Sequence, residues 1–158
     1  EAVANYALST LTGGLIRLYI TDETADSFTV IKDIPMGVTR DTVGVDTTVT
    51  ELTGDSLHFT IDSSRIEKIV SIENSKMEKF SMKDKEQSDI LWGDRIVANM
   101  YKDGGGTARS EGKARSLYRS DNDMHNEIAG DTLNMKFDSE GVLEMELSGG
   151  VRGVILPQ

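Results

Sequence analysis

Apolar and polar residues alternate in four stretches of the chain, and each stretch is anchored on a glycine. The stretches are LTGGLIRLYI from Leu11, LTGDSLHFTI from Leu52, LWGDRIVANM from Leu91 and IAGDTLNMKF from Ile128. The anchors Gly13, Gly54, Gly93 and Gly130 are 41, 39 and 37 residues apart. Three, five and seven residues after each anchor stand Ile16-Leu18-Ile20, Leu57-Phe59-Ile61, Ile96-Ala98-Met100 and Leu133-Met135-Phe137, all apolar. Between them lie polar residues such as His58, Thr60, Asn99, Asn134 and Lys136. A strict period of two predicts a half-buried β-strand, because successive side chains point to opposite faces. The glycine suits a bend or bulge where a strand turns a corner.

The pattern extends on both sides of the anchors. Two residues before each glycine is Leu11, Leu52, Leu91 or Ile128. Four residues before it is Ser9, Thr50, Asp89 or Asn126, polar and turn-prone in every copy. A second strand follows in each unit. In the last unit Leu143, Met145 and Leu147 alternate with Glu144, Glu146 and Ser148. Val70 and Ile72 take the corresponding places in the second unit, and the weaker Ala108 and Ser110 in the third. Nineteen or twenty residues past the anchor comes another turn residue, Asn74, Gly112 or Gly149; in the first unit Pro35-Met36-Gly37 takes that role late. Four strand–turn–strand units, starting near residues 11, 52, 91 and 128, predict an all-β sandwich, roll or solenoid. Residues 1–12 read as a short amphipathic helix or an opening strand, and residues 81–89 as a solvated loop. No boundary divides residues 1–158, so a single domain is expected.

Composition supports this. Fifteen glycines against two prolines suit a fold of paired strands and tight turns. The net charge of −10, with no basic stripe, argues against a nucleic-acid partner. The absence of cysteine removes disulfides and thiolate metal sites. No apolar run reaches the roughly 18 residues of a spanning helix, and no signal peptide is visible. The opening Glu1 suggests a chain that starts inside a larger gene product.

Catalytic and metal chemistry find little footing. His58 lies on the polar face of a strand and His125 in a polar, turn-like segment. Asp121-Asn122-Asp123 has no glycine or terminal glutamate in calcium-loop register. The recurrent Asp55, Asp94 and Asp131 follow a corner glycine, where a carboxylate accepts local backbone N–H groups. Gly104-Gly105-Gly106 leads to Gly112-Lys113-Ala114, a phosphate-loop likeness with the wrong spacing, and reads as a hairpin tip. Trp92 beside Gly93 reads as packing. No catalytic residue, metal ligand or cofactor is therefore assigned. What remains is the apolar face, rich in methionine (Met100, Met135, Met145), a side chain that adapts to variable apolar partners.

The repeated Gly-Asp-x-[Leu/Ile] strand start resembles the OstA-like (LptA-like, organic-solvent-tolerance) family of lipopolysaccharide-transport proteins. The best stretches are Asn126 to Pro157 and Gly93 to Tyr118. The resemblance covers most of residues 52–157 and departs from the pattern at Gly14, which stands where later units have Asp. It implies an open, twisted β-jellyroll of short antiparallel strands in the periplasm of a Gram-negative cell envelope. It further implies a groove that shelters the acyl chains of lipopolysaccharide or a related glycolipid on the way to the outer membrane. Edge-strand pairing with other β-jellyroll transport components, or end to end with copies of this chain, is part of the same expectation. The expected lipid-contacting residues are Leu57, Phe59, Ile61, Val70, Ile72, Ile96, Met100, Leu133, Met135, Phe137, Leu143, Met145 and Leu147. Either Arg95, Lys136 and Arg152 serve as rim cations for lipid phosphates, or the phosphates stay in water, or the ligand is less charged. The competing expectation is a structural or adhesive β-repeat module of a larger envelope protein, with a closed core.

Overall fold

A computed structural model describes residues 2–6, 8–43, 46–62, 65–103, 105–119, 125–138 and 142–156. The described chain is all strand and turn. Its strands are β1 (Ala2–Tyr6), β2 (Ser9–Gly13), β3 (Leu15–Thr21), β4 (Thr24–Ile31), β5 (Met36–Val43), β6 (Asp46–Thr53), β7 (Ser56–Asp62), β8 (Arg65–Ser81), β9 (Asp84–Met100), β10 (Gly106–Arg119), β11 (His125–Phe137), β12 (Val142–Ser148) and β13 (Arg152–Leu156). All pair antiparallel in one sheet that does not close into a barrel.

The sheet forks at both ends because its central strands are long and bend once. The first half of β8 pairs with β7, and its second half with β6. Likewise β11 pairs with β12 through its second half and with β13 through its first. Two arms result. Arm A holds β1, β2, β5, β6, the second half of β8, the first of β9, the second of β10, the first of β11, and β13. Arm B holds β3, β4, β7, the complementary halves of β8 to β11, and β12.

The corners between the arms form a column with two alternating solutions. One is the anchor glycine. The other is a left-handed turn, at Lys32-Asp33-Ile34, Glu73-Asn74, Gly112-Lys113 and Gly149-Gly150. The two interlock between neighbouring strands. The Asp55 N–H donates to the Ile72 and Glu73 carbonyls, and Asp131 N–H to the Gly149 carbonyl at 2.9 Å. Asn74 Nδ2 donates to both Asp55 carboxylate oxygens at 3.0 and 3.1 Å. So the Asp55 carboxylate serves a side-chain partner across the corner, where local backbone N–H groups were expected. A glycine is required at the anchor because the neighbouring strand closes on it. A Cβ at Gly54 would collide with Ser71 Oγ, and one at Gly93 with Ser110 Oγ. Each serine donates to the carbonyl just before its glycine: Ser71 to Thr53 at 2.8 Å, Ser110 to Trp92 at 2.7 Å.

The arms face each other and share one core. The Tyr6 ring of arm A meets Phe28 of arm B edge to face, centroids 5.5 Å apart. Gly37 of arm A leaves room for the Phe59 ring of arm B, where a Cβ would lie 2.7 Å from Cζ. Leu11, Leu52, Met77 and Leu91 of arm A and Phe28, Phe59, Ile96, Leu133 and Phe137 of arm B belong to the same buried cluster.

Several details differ from the sequence expectation. Within residues 1–12, Ala2–Tyr6 form β1 and Ser9 to Thr12 most of β2, so the described part of the opening is strand. The expected loop at 81–89 is a hairpin: Met82-Lys83 turn, and β9 runs from Asp84. Polar residues are compatible with strand here because the backbone ladder, not an apolar face, sets the pairing. The strands are not uniformly short, since β8 and β9 each run 17 residues through the corner. The first unit keeps its register, with the left-handed turn at Lys32-Asp33-Ile34 and not at Pro35-Met36-Gly37. Three non-glycine residues hide that corner from a search for turn formers.

Candidate functional site

All four units contribute to the interior between the arms. Strand register sets its rows. On arm B, the row nearest the corner runs Val30, Leu57, Ser71, Ile96, Ser110, Leu133, Leu147. The next runs Phe28, Phe59, Ile69, Ala98, Ala108, Met135, Met145. Farther out stand Ile61, Met100, Phe137 and Val142. Ten of the thirteen expected contact residues are thus on one face: Leu57, Phe59, Ile61, Ile96, Met100, Leu133, Met135, Phe137, Met145 and Leu147.

Val70, Ile72 and Leu143 are not on that face. Val70 pairs with His58 and Val97, and Ile72 with Ser56 and Arg95, on the outer side of arm B. Their inward neighbours are Ile69 and Ser71, buried at 3% and 0% exposure. The displacement is one residue: the second unit must be read fifteen and seventeen residues after its glycine, as the third and fourth are. Leu143 follows a register shift that pairs Phe137 with Val142, so Val142 turns inward and Leu143 stays 58% exposed. The same offset recovers Phe28 and Val30 in the first unit, which the sequence reading missed. Arg95 and Lys136 also fall on the outer face. Arg95 pairs with Glu111 at 3.0 Å, and together with Arg109 it holds the Glu111 carboxyl below the usual carboxylate range, Arg109 contributing most. Arg152 is exposed on β13.

Arm A is different inside. Its row nearest the corner is apolar through Leu11, Gly37, Leu52, Met77 and Leu91, then reaches Ser116 and Ile128. Ser116 is fully buried, and its Oγ has no hydrogen-bond partner among the described residues. Such a group costs about 1–3 kcal/mol. Two residues farther from the corner lies a polar ladder. It runs Ser9, Thr39, Thr50, Lys79, Asp89 by direct pairing, and continues with Tyr118 and Asn126 on β10 and β11. Ser9, Thr50, Lys79 and Asn126 are buried. Ser9 Oγ and Thr39 Oγ1 are 2.9 Å apart. Lys79 Nζ sits 4.8 Å over the Phe137 ring and donates to the Asp138 carbonyl, crossing from arm A to arm B. Four of these residues are the recurrent polar positions that precede each glycine, taken from sequence as turn-prone. They lie within strands, facing inward.

In this structure the arms rest against each other. The crevice between Met77, Lys79, Leu91, Met135, Phe137 and Val142 has about 10 Å³ of free space, room for one water at most. A hollow of about 410 Å³ lies instead on the corner column, lined by Lys32, Asp33, Ile34, Pro35, Thr53, Gly54, Asp55 and Asn74. It is open to solvent, and more of its wall is apolar than polar.

The remaining motifs have plain surroundings. His58 is exposed on the outer face, with Nδ1 3.1 Å from Thr29 Oγ1. The Trp92 ring carries Arg115 at 4.4 Å. Gly105 and Gly106 follow the β9–β10 turn, where Gly105 N–H donates to Asp103 Oδ1. Asp121-Asn122-Asp123, the His125 side chain and Gly104 lie outside what is described. Among the described residues no group of three His, Cys, Asp or Glu is placed to hold a metal ion, and no helix is long and apolar enough to cross a membrane. No protein-family model matches the chain, and no curated protein or solved structure is significantly similar to it.

Proposed function

We propose that this chain is a non-catalytic carrier that shelters the acyl chains of lipopolysaccharide, or a related glycolipid, between its two arms in the periplasm. The observation that carries the reading is the in-register apolar interior. Two rows on arm B, apolar except for Ser71 and Ser110, run in register from β4 to β12, in a sheet that is not closed. A chain of CH₂ groups laid along them would gain about 0.8 kcal/mol for each one buried. Affinity then grows with chain length and needs no single strong polar contact. Because the arms rest against each other, loading requires them to part at the mouth while the corner column holds.

The ends of the sheet support transfer between units. Val3, Leu18, Tyr19 and Ile20 on the first edge strands, and Leu143 and Val151 at the other end, are large apolar side chains left exposed. Edge strands of this kind accept a further strand, from a partner β-jellyroll or a second copy.

The filled crevice favours a second reading, a structural or adhesive module whose interior is simply its core. Uptake decides between them. The purified protein is titrated with a fluorescent or photo-crosslinkable lipid A analogue beside a phospholipid control. Saturable uptake, with crosslinks on Met135 or Phe59, is expected of the carrier. A folded protein that takes up neither is a closed module.

A further inference from the structure

We infer that the arms part at one half of the mouth, between β8 and β12, and that Lys79 and Asp89 make that half the gate. This deepens the carrier reading by locating where cargo enters, and rests on it for the cargo, but the parting itself is measurable without lipid. The two halves of the mouth are closed by different chemistry. Toward the edge formed by β1 and β3 the contact is dry and aromatic. Tyr6 meets Phe28 edge to face, and the Phe59 ring fills the space left by Gly37. The ladder residues on this side, Ser9, Thr39 and Thr50, are neutral, and Ser9 Oγ lies 2.9 Å from Thr39 Oγ1. Toward β12 the contact carries charge. Lys79 and Asp89 stand directly opposite each other on β8 and β9. The buried Lys79 ammonium reaches across to arm B, where it donates to the Asp138 carbonyl and lies 4.8 Å over the Phe137 ring. Both residues border the crevice of about 10 Å³ that Met77, Leu91, Met135 and Val142 help to line.

Water decides which half opens. Parting the aromatic half would expose the buried Phe28 and Phe59 rings, and water makes no compensating bond to them. Parting the other half exposes Met135 and Phe137 as well, but there water rehydrates an ammonium and replaces its contacts with the ring and the carbonyl. Asp89 moves with Lys79 on the same arm, so parting leaves neither charge without the other. Deeper in the same half, Ser116 holds a fully buried hydroxyl with no partner among the described residues, and admitted water would satisfy it. The charged half therefore loses less on opening than the aromatic half, and the aromatic half acts as the hinge side.

Two small, buried, inward-facing residues report the two halves: Ala108 on β10 for the charged half and Ser9 on β2 for the aromatic half. Each is replaced by cysteine in a chain that has none of its own, and reaction of the folded protein with a thiol reagent is followed without lipid. Ala108→Cys should react at least about tenfold faster than Ser9→Cys, each rate taken relative to the unfolded chain. Lys79→Met with Asp89→Leu removes both charges together, so neither is left behind. The pair of changes should slow the Ala108→Cys reaction at least about tenfold, leave Ser9→Cys within about twofold, and raise the melting temperature. Equal rates at the two thiols overturn the gate. Faster reaction of Ala108→Cys, a lower melting temperature or failure to fold in the charge-free variant also overturns it, because the charges would then hold the arms together. None of these results touches the carrier reading, which the lipid A titration decides. One-sided opening in a folded protein that takes up no lipid overturns the carrier reading and leaves the gate standing.

Discussion

The two arms are built from the same four units, paired in the same antiparallel way, yet their inner faces follow different rules. Outward from a corner row that holds Ser71 and Ser110, arm B is apolar to the tips, through Phe59 and Ile61 on β7 and Met135 and Phe137 on β11. Arm A is apolar for one row and then turns polar, with Thr50, Lys79 and Asn126 buried where arm B holds Phe59, Ile69 and Met135. An ordinary closed sandwich gains most from apolar residues on both inner faces, since each buried large side chain is worth about 1.5–3 kcal/mol. A buried polar row on one side only makes the interior amphipathic.

The largest effect should come from the apolar arm. Phe59→Ala removes a ring that fills the space left by Gly37 and should cost about 3–5 kcal/mol in urea unfolding. A loss below about 1 kcal/mol would mean that the arms do not pack on each other in solution. The corner shared by both arms comes next. Gly93→Ala drives a methyl into Ser110 Oγ, and a cost of about 1–3 kcal/mol is expected from the same measurement. Thr50→Val tests the other side of the comparison. The loss should be no more than about 1 kcal/mol in the same measurement, well below that at Phe59. A smaller gain is predicted at the first corner. Ile34 is β-branched, 80% exposed and held at φ 54°, so Ile34→Gly should stabilise by about 1 kcal/mol. The smallest effect concerns acid. The Glu111 carboxyl is lowered by its hydrogen bonds from Arg109 and Arg95, so its contribution is present at neutral pH and fades as pH falls through its folded value. Because the group is exposed, NMR titration of its side chain should reveal the lowered midpoint, while melting changes little between wild type and Glu111→Gln.

The repeat was legible because its units obey two independent constraints. Glycine is needed where a neighbouring side chain closes on the strand, and apolar residues are needed at every second position of the inner face. Those constraints fixed the strands that follow each anchor, and with them eight of the ten expected residues that face inward; Met145 and Leu147 lie on the returning β12. The returning strands were less readable. Ile69-Val70-Ser71-Ile72 carries apolar residues on both faces, so alternation alone does not set its parity, and the buried Ser71 is small and polar because it caps the Thr53 carbonyl behind Gly54. The bend itself hid the length of β8 and β9, since Glu73-Asn74 and Gly93-Asp94 read as ends of strands when they are corners within them. The polar ladder was visible as Ser9, Thr50, Asp89 and Asn126, but polarity four residues before a glycine reads as a turn until the partner strands are known. Lys79 had no repeat to announce it.

Parting of the arms is the step on which the carrier account depends, and it can be measured across a single strand. Met82 and Lys102 are exposed in the turns at either end of β9, one at the tip of each arm, and the chain has no native cysteine to compete for label. Spin labels on Met82→Cys and Lys102→Cys report the width of the mouth by pulsed electron resonance. The account predicts a longer, saturating distance when a lipid A analogue is added and no change with the phospholipid control. A distance that stays fixed while the analogue binds would contradict it, because the interior would then not be where the lipid goes.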